Sequence, residues 1–148
     1  MTRDGIRGLT LLELLIVLVL IGLMAGVAIP IFGSGVSTTE LKSAAREMAA
    51  GLRTARAQAV AERAESVLEI DLAARSFRVP PSARVHTISP QIELKLFTAQ
   101  RDIVSDKIGA IRFYPDGGST GGRVTLAAGE RKYDVDVDWL TGRIDILE

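Results

Sequence analysis

The feature that most constrains this chain is an apolar run from Gly8 to Phe32, with no charged residue between Leu14 and Phe32. A helix of roughly 20 apolar residues spans a hydrocarbon core about 30 Å thick. The run is therefore expected to be helical, with lipid or other apolar helices around it. Gly22, Gly26 and Pro30 interrupt it. Such residues weaken a helix in water but are tolerated in membrane helices. One acid, Glu13, lies near its start. A carboxylate in lipid costs about 2.5–3.5 kcal/mol at the helix centre and less at the interface. It must sit among headgroups, meet a cation or take up a proton. A cut after Gly8 would create the cation, because Leu9 would then carry a new α-amino group at the same depth. The better mate for that amine is the Glu13 of a neighbouring copy or partner in a staggered bundle.

Two simpler uses of the same stretch compete. An ordinary secretory signal would take Arg3 and Arg7 as its basic region and Gly26-Val27-Ala28 as its cleavage site. An acid inside the run, and the length of the run, argue against it. The other use is an uncleaved single-pass anchor. In every case the basic leader favours a cytoplasmic N-terminus, with the remainder facing the periplasm or the cell exterior.

The 148 residues leave room for one domain of about 100 residues beyond the anchor. A net charge of +0 argues against a nucleic-acid surface built on bulk charge. With Cys 0 there is no disulfide framework, thiol nucleophile or cysteine metal site. The single histidine, His86, stands in a connector containing proline and serine. It reads as a surface residue and excludes a histidine-rich metal centre. No catalytic, cofactor or metal-binding residues are expected.

From Val36 to about Glu65 the pattern is amphipathic. Ser37, Thr38 and Thr39 with Glu40 offer caps. Leu41, Ala45, Met48, Leu52, Ala55 and Ala59 recur at spacings of four and three, which makes one apolar stripe. Arg46, Glu47, Arg53, Arg56, Glu62 and Arg63 fall mostly off it. A helix from Leu9 to about Glu62 would be about 80 Å long, with Gly33-Ser34-Gly35 as its flexible point. Only its second half could pack on a small domain.

After Ser66 the period becomes two. Segments 67–71 and 76–79 suggest a hairpin. Pro80-Pro81-Ser82 opens a loop or irregular edge to Pro90. Segments 92–96, 108–114, 122–126, 132–137 and 142–147 read as strands, 99–107 as a polar loop, and Gly129-Glu130 and Leu140-Thr141-Gly142 as turns. Asp134, Asp136 and Asp145 read as a solvated face. The fold expected is α+β, with a long N-terminal helix and a C-terminal antiparallel, sandwich-like domain of about seven short strands. The organisation expected is a leader over 1–8, a transmembrane or filament-core helix over 9–35, and a periplasmic domain over 36–148 (helix 36–65, strands 66–148).

Phe113-Tyr114-Pro115-Asp116-Gly117-Gly118-Ser119-Thr120-Gly121-Gly122 reads as a strand entering a glycine-rich turn and leaving as another strand, a structural hairpin loop. A phosphate loop would need Gly-Lys-Ser/Thr before a helix. Asp116, Ser119 and Thr120 are too few to hold a cation.

Gly8-Leu9-Thr10-Leu11-Leu12-Glu13 and the apolar run resemble the class III signal of type IV prepilins and type II secretion pseudopilins. The resemblance implies that a membrane peptidase cuts between Gly8 and Leu9 and N-methylates Leu9, that Glu13 guides assembly, and that Pro30 kinks the helix. Leu9 departs from the phenylalanine usual at that place. The stretch from Phe113 to Val124, with Phe113, Pro115, Asp116, Gly117, Gly121 and Gly122, is similar to the signature of GspH/FimT-type minor pseudopilins, as is the late Gly142-Arg143. The resemblance implies a minor pseudopilin of a type II secretion pseudopilus that helps export folded proteins across the outer membrane. Its expected partners are other major and minor pseudopilins, prepilin peptidase/N-methyltransferase, the inner-membrane assembly platform and, before assembly, membrane lipid. The alternative is a FimT-like type IV pilus minor pilin assisting pilus assembly or DNA uptake. Asp145 and Glu148 stand where phosphate binding would want cations, so no nucleic acid is expected.

Overall fold

A computed structural model of the chain describes residues 10–27, 36–99, 102–105 and 107–148. The chain divides into two compact units, Met1–Ser34 and Gly35–Glu148.

The first unit contains helix α1 (Leu11–Val27, 17 residues). At 1.5 Å per residue it is about 25 Å long. Among the described residues no helix is long and apolar enough to cross a membrane. Gly8, Leu9, Pro30 and Gly33-Ser34-Gly35 lie outside the described residues, so the kink and the flexible point expected there do too.

The second unit opens with helix α2 (Thr38–Glu62). Ser37 caps it, its hydroxyl accepting from the Glu40 N–H at 3.1 Å, one half of a capping box. The expected stripe is buried, and Ala49 joins it. Nine strands follow: β1 (Ser66–Asp71), β2 (Ser76–Arg78), β3 (Val85–Thr87), β4 (Glu93–Thr98), β5 (Ile103–Ser105), β6 (Ile108–Phe113), β7 (Gly122–Ala128), β8 (Arg131–Val137) and β9 (Ile144–Leu147). They make two antiparallel sheets, β3-β2-β1-β6-β5 and β4-β7-β8-β9. Alternation sets what points inward: Leu68 and Ile70 on β1, Ile111 and Phe113 on β6, Val124 and Leu126 on β7, Val135 and Val137 on β8. With the α2 stripe these form one core shared by the helix and both sheets. Each buried aliphatic side chain contributes about 1.5–3 kcal/mol of transfer free energy. The alanines and Gly51 let α2 approach closely. A Cβ on Gly51 would stand 2.8 Å from the Phe77 ring.

Four expectations need correction. The strands number nine among the described residues, not about seven, because β3 and β5 are three-residue edge strands. So short a strand shows almost no alternation. The glycine-rich stretch turns back on itself, with an antiparallel bridge between Phe113 and Ser119, but it does not link two strands of one sheet. It joins β6 of the first sheet to β7 of the second, and those two strands do not pair. Asp134 is not on a solvated face. It is 9% exposed, and its Oδ1 accepts from the Thr125 hydroxyl at 2.6 Å. His86 lies on β3 rather than in a connector and stacks on Phe77, with ring centroids 4.9 Å apart.

Candidate functional site

The residues singled out in the sequence fall in two places. The first is the start of α1. The Thr10 hydroxyl accepts from the Glu13 N–H at 3.3 Å. Its carbonyl accepts from Glu13 and Leu14 at 3.0 and 3.2 Å. Thr10 thereby fixes where the helix begins and makes Glu13 its third residue, where an acid also complements the helix dipole. Glu13 is the only ionisable residue in α1. The side chains from Leu11 to Ile21 are exposed on every face. A helix apolar all round is stable only inside a core or a membrane. The lone carboxylate therefore sits at the end of a rod that water does not suit.

The second place is the stretch after β6. Phe113 is fully buried and anchors it. Pro115 and Asp116 are exposed at its tip. The Gly117 N–H donates to the Tyr114 carbonyl, the Tyr114 N–H to the Gly118 carbonyl, and the Gly118 N–H to Asp116 Oδ1, each at 2.9 Å. Ser119 Oγ donates to the Arg112 carbonyl at 2.8 Å and accepts from the Gly121 N–H at 3.0 Å. Gly117 and Gly121 hold φ at +88° and +72°, the left-handed region. At Gly122 a Cβ would meet the Phe97 carbonyl oxygen at 2.7 Å. These N–H groups are spent inside the loop, so it presents no phosphate cradle.

A third segment closes on this loop. Asp138 Oδ1 accepts from the N–H groups of Leu140 and Thr141 and from the Thr141 hydroxyl, at 3.1, 2.7 and 2.8 Å. The Thr141 bonds hold the Asp138 carboxyl below its usual range. The Ser119 N–H donates to the Trp139 carbonyl at 2.9 Å. Gly142, with φ +62°, lies so close that a Cβ would stand 2.1 Å from the Gly117 oxygen. Arg56 of α2 joins both loops, its Nε donating to the Gly117 carbonyl at 3.1 Å and Nη2 to the Thr141 carbonyl at 3.0 Å. Nothing in the sequence separates Arg56 from Arg46 or Arg53 on the same helix, since the two carbonyls it meets are 61 and 85 residues away. The structure brings Asp116, Gly117, Gly121, Gly142 and Arg56 together as a clasp, and Glu13 belongs to the other unit.

The family model described as Type II transport protein GspH matches residues 44–141, which include Arg56 and the whole glycine-rich stretch. The chain is 36% identical over 143 residues to the type II secretion system protein H of Xanthomonas campestris pv. campestris, covering 96% of this chain and 83% of that protein. The chain belongs to the GspH family. A second family model, the prokaryotic N-terminal methylation motif, matches residues 3–29 and so includes Gly8, Leu9 and Glu13. The fold of this GspH-family chain is that of the minor pseudopilin EpsH from the type 2 secretion system of Vibrio cholerae. The TM-score is 0.58 at 12% identity, over 73% of this chain and 96% of that one. It is equally similar to the type IV minor pilin FimU of Pseudomonas aeruginosa (strain PAO1), with TM-score 0.57 at 17% identity, over 74% and 90% of the two chains. Fold alone therefore does not separate secretion from pilus proteins. The GspH match and the secretion-protein relative favour secretion.

Proposed function

We propose that the chain is a minor pseudopilin of a type II secretion pseudopilus, a subunit that works by assembly and not by catalysis. One observation carries this reading: α1 is exposed and apolar on every described face and bears a single carboxylate in its first turn. A prepilin peptidase/N-methyltransferase cuts between Gly8 and Leu9 and methylates the Leu9 amine. Residues 9–35 anchor the subunit in the inner membrane, and residues 36–148 face the periplasm. The uncharged sequence continues to Phe32, which supplies the length that α1 alone lacks. During assembly Glu13 pairs with the amine of a neighbouring major or minor pseudopilin on the inner-membrane platform. Helix–helix contacts then replace lipid contacts, so apolar surface need not enter water.

The pilus alternative would favour a cationic end for DNA uptake. Here Arg143 Nε is paired with Asp145 at 2.8 Å, and Lys42 with Glu148 at 3.7 Å, which weakens that reading. The test is a Gly8→Val variant. A β-carbon at the cut site is expected to leave an uncleaved precursor in the inner membrane. Mass spectrometry of the wild-type chain is expected to show a methylated N-terminus at Leu9. Normal processing of the variant, or a native chain beginning at Met1, sinks the proposal.

A further inference from the structure

Beside the clasp, the C-terminal half of α2 and the start of β9 enclose a cleft of about 520 Å³. Its charged lining consists of Arg53, Arg56 and Arg143, with no carboxylate. Its apolar lining includes Ala57, Val60 and Ile144. Neither Arg53 nor Arg56 has an ion-pair partner among the described residues. Both instead donate to main-chain carbonyls, Arg53 to Ile144 at 3.5 Å and Arg56 to Gly117 and Thr141. Those bonds fix the guanidinium of Arg56 without neutralising it. Only Arg143 touches an acid, Asp145. In a chain of net charge +0 the cleft is thus a local positive site with an apolar wall, held rigid by the clasp.

We infer that this cleft docks an acidic segment of a neighbouring pseudopilin, an Asp or Glu flanked by an aliphatic side chain. The choice of a pseudopilin as its source rests on the function proposed above. Two observations select the chemistry. The Arg56 guanidinium, fixed before binding through Nε and Nη2, keeps Nη1 for a charge-assisted bond to a carboxylate oxygen. The aliphatic side chain beside that carboxylate covers Val60, which is 48% exposed. A nucleic acid fits worse. The cleft's lining contains no aromatic side chain for a base to stack on.

The experiment places p-benzoylphenylalanine at Val60 in the full-length chain, expressed in the cells that secrete with it. Irradiation is expected to give one major adduct. Peptide mapping should put it within a few residues of an Asp or Glu in another subunit that carries a methylated N-terminus. Arg53→Glu with Arg143→Glu, two exposed positions that leave the clasp intact, should cut the adduct by about tenfold at unchanged protein level. Exchanging the mapped acid for Arg should restore it. No adduct, an adduct to DNA, lipid or a segment without an acid, or a yield indifferent to charge reversal overturns the inference. The N-terminus of the same material is read separately. A chain beginning at Met1 with the acidic adduct present defeats the pseudopilin reading and not the cleft, whereas a Leu9 terminus without the adduct does the reverse.

Discussion

Gly142 holds φ at +62°, and a methyl group there would overlap the Gly117 carbonyl. Left-handed geometry alone costs a side chain about 1–2 kcal/mol. The overlap adds displacement of the loop, so Gly142→Ala should destabilise the second unit by roughly 3 kcal/mol. Arg56→Lys should cost about 1.5–3 kcal/mol, because one ammonium cannot reproduce two fixed charge-assisted bonds. Both variants open the same contact, so their effects should be less than additive. Urea unfolding of the detergent-solubilised chain, followed by the fluorescence of Trp139, measures all three quantities. Additive losses would show that the two loops are held independently. A second test at this scale concerns acid. The Thr125 hydroxyl, against the opposing effect of burial and with help from Lys132, holds the Asp134 carboxyl below its usual range. Asp138 is depressed as well, chiefly by the Thr141 N–H. A carboxyl depressed on folding contributes stability above its unfolded pKa, about 3.9, and loses it as pH falls through the folded value. Melting temperature should therefore drop below about pH 4. Asp134→Asn should melt lower than wild type at pH 7 and converge with it in acid. A constant gap across the range would contradict this.

The elements repeat one device. Each helix starts at a hydroxyl residue three positions before a glutamate, Thr10 before Glu13 and Ser37 before Glu40, and each hydroxyl accepts the glutamate's N–H. That pattern was legible at α2, as was the buried stripe, because period and caps are local. The end of α2 at about Glu62 was legible too, but the way it closes was not. Arg63 closes it in the left-handed region at φ 52°, ψ 35°, where glycine is the favoured residue. Arg63→Gly should therefore stabilise the second unit by about 0.5–1 kcal/mol, measured as a higher urea midpoint, and a lower midpoint would mean that the arginine makes a contact worth more than its strain. The strands show the same divide. Long alternating runs such as Lys132–Val137 were legible. Ile103–Ser105 was not, lying in a segment that reads as polar yet leads in through Asp102, which is 3% exposed and paired with Arg112 at 3.2 Å. The partner that buries an acid is set by tertiary contact. So is the difference between a hairpin loop and a crossing between sheets, which have the same glycines and the same flanking strands.

At the scale of the molecule, the part of the site that was legible is the part whose chemistry needs no fold. An acid in an apolar run is anomalous wherever the chain goes, so Glu13 stood out, whereas the clasp and its cleft exist only once three distant segments meet. The two halves make separable demands. If Glu13 meets a neighbour's amine in a filament core, removing it leaves that amine unpaired in a low-dielectric bundle. Loss of one member of a buried ion pair costs about 3–5 kcal/mol, or roughly a hundredfold to several thousandfold in association. The same change makes the helix more apolar, so insertion into lipid should be unharmed or improved. Glu13→Ala is therefore expected to resist carbonate extraction as wild type does, to keep its Trp139 fluorescence and urea midpoint, and yet to lose nearly all co-purification with partner pseudopilins. Glu13→Gln should resemble Ala, because an amide keeps the shape and the capping geometry but not the charge. If Gln assembles like wild type, hydrogen bonding or the helix start explains the acid, and the amine need not be its partner.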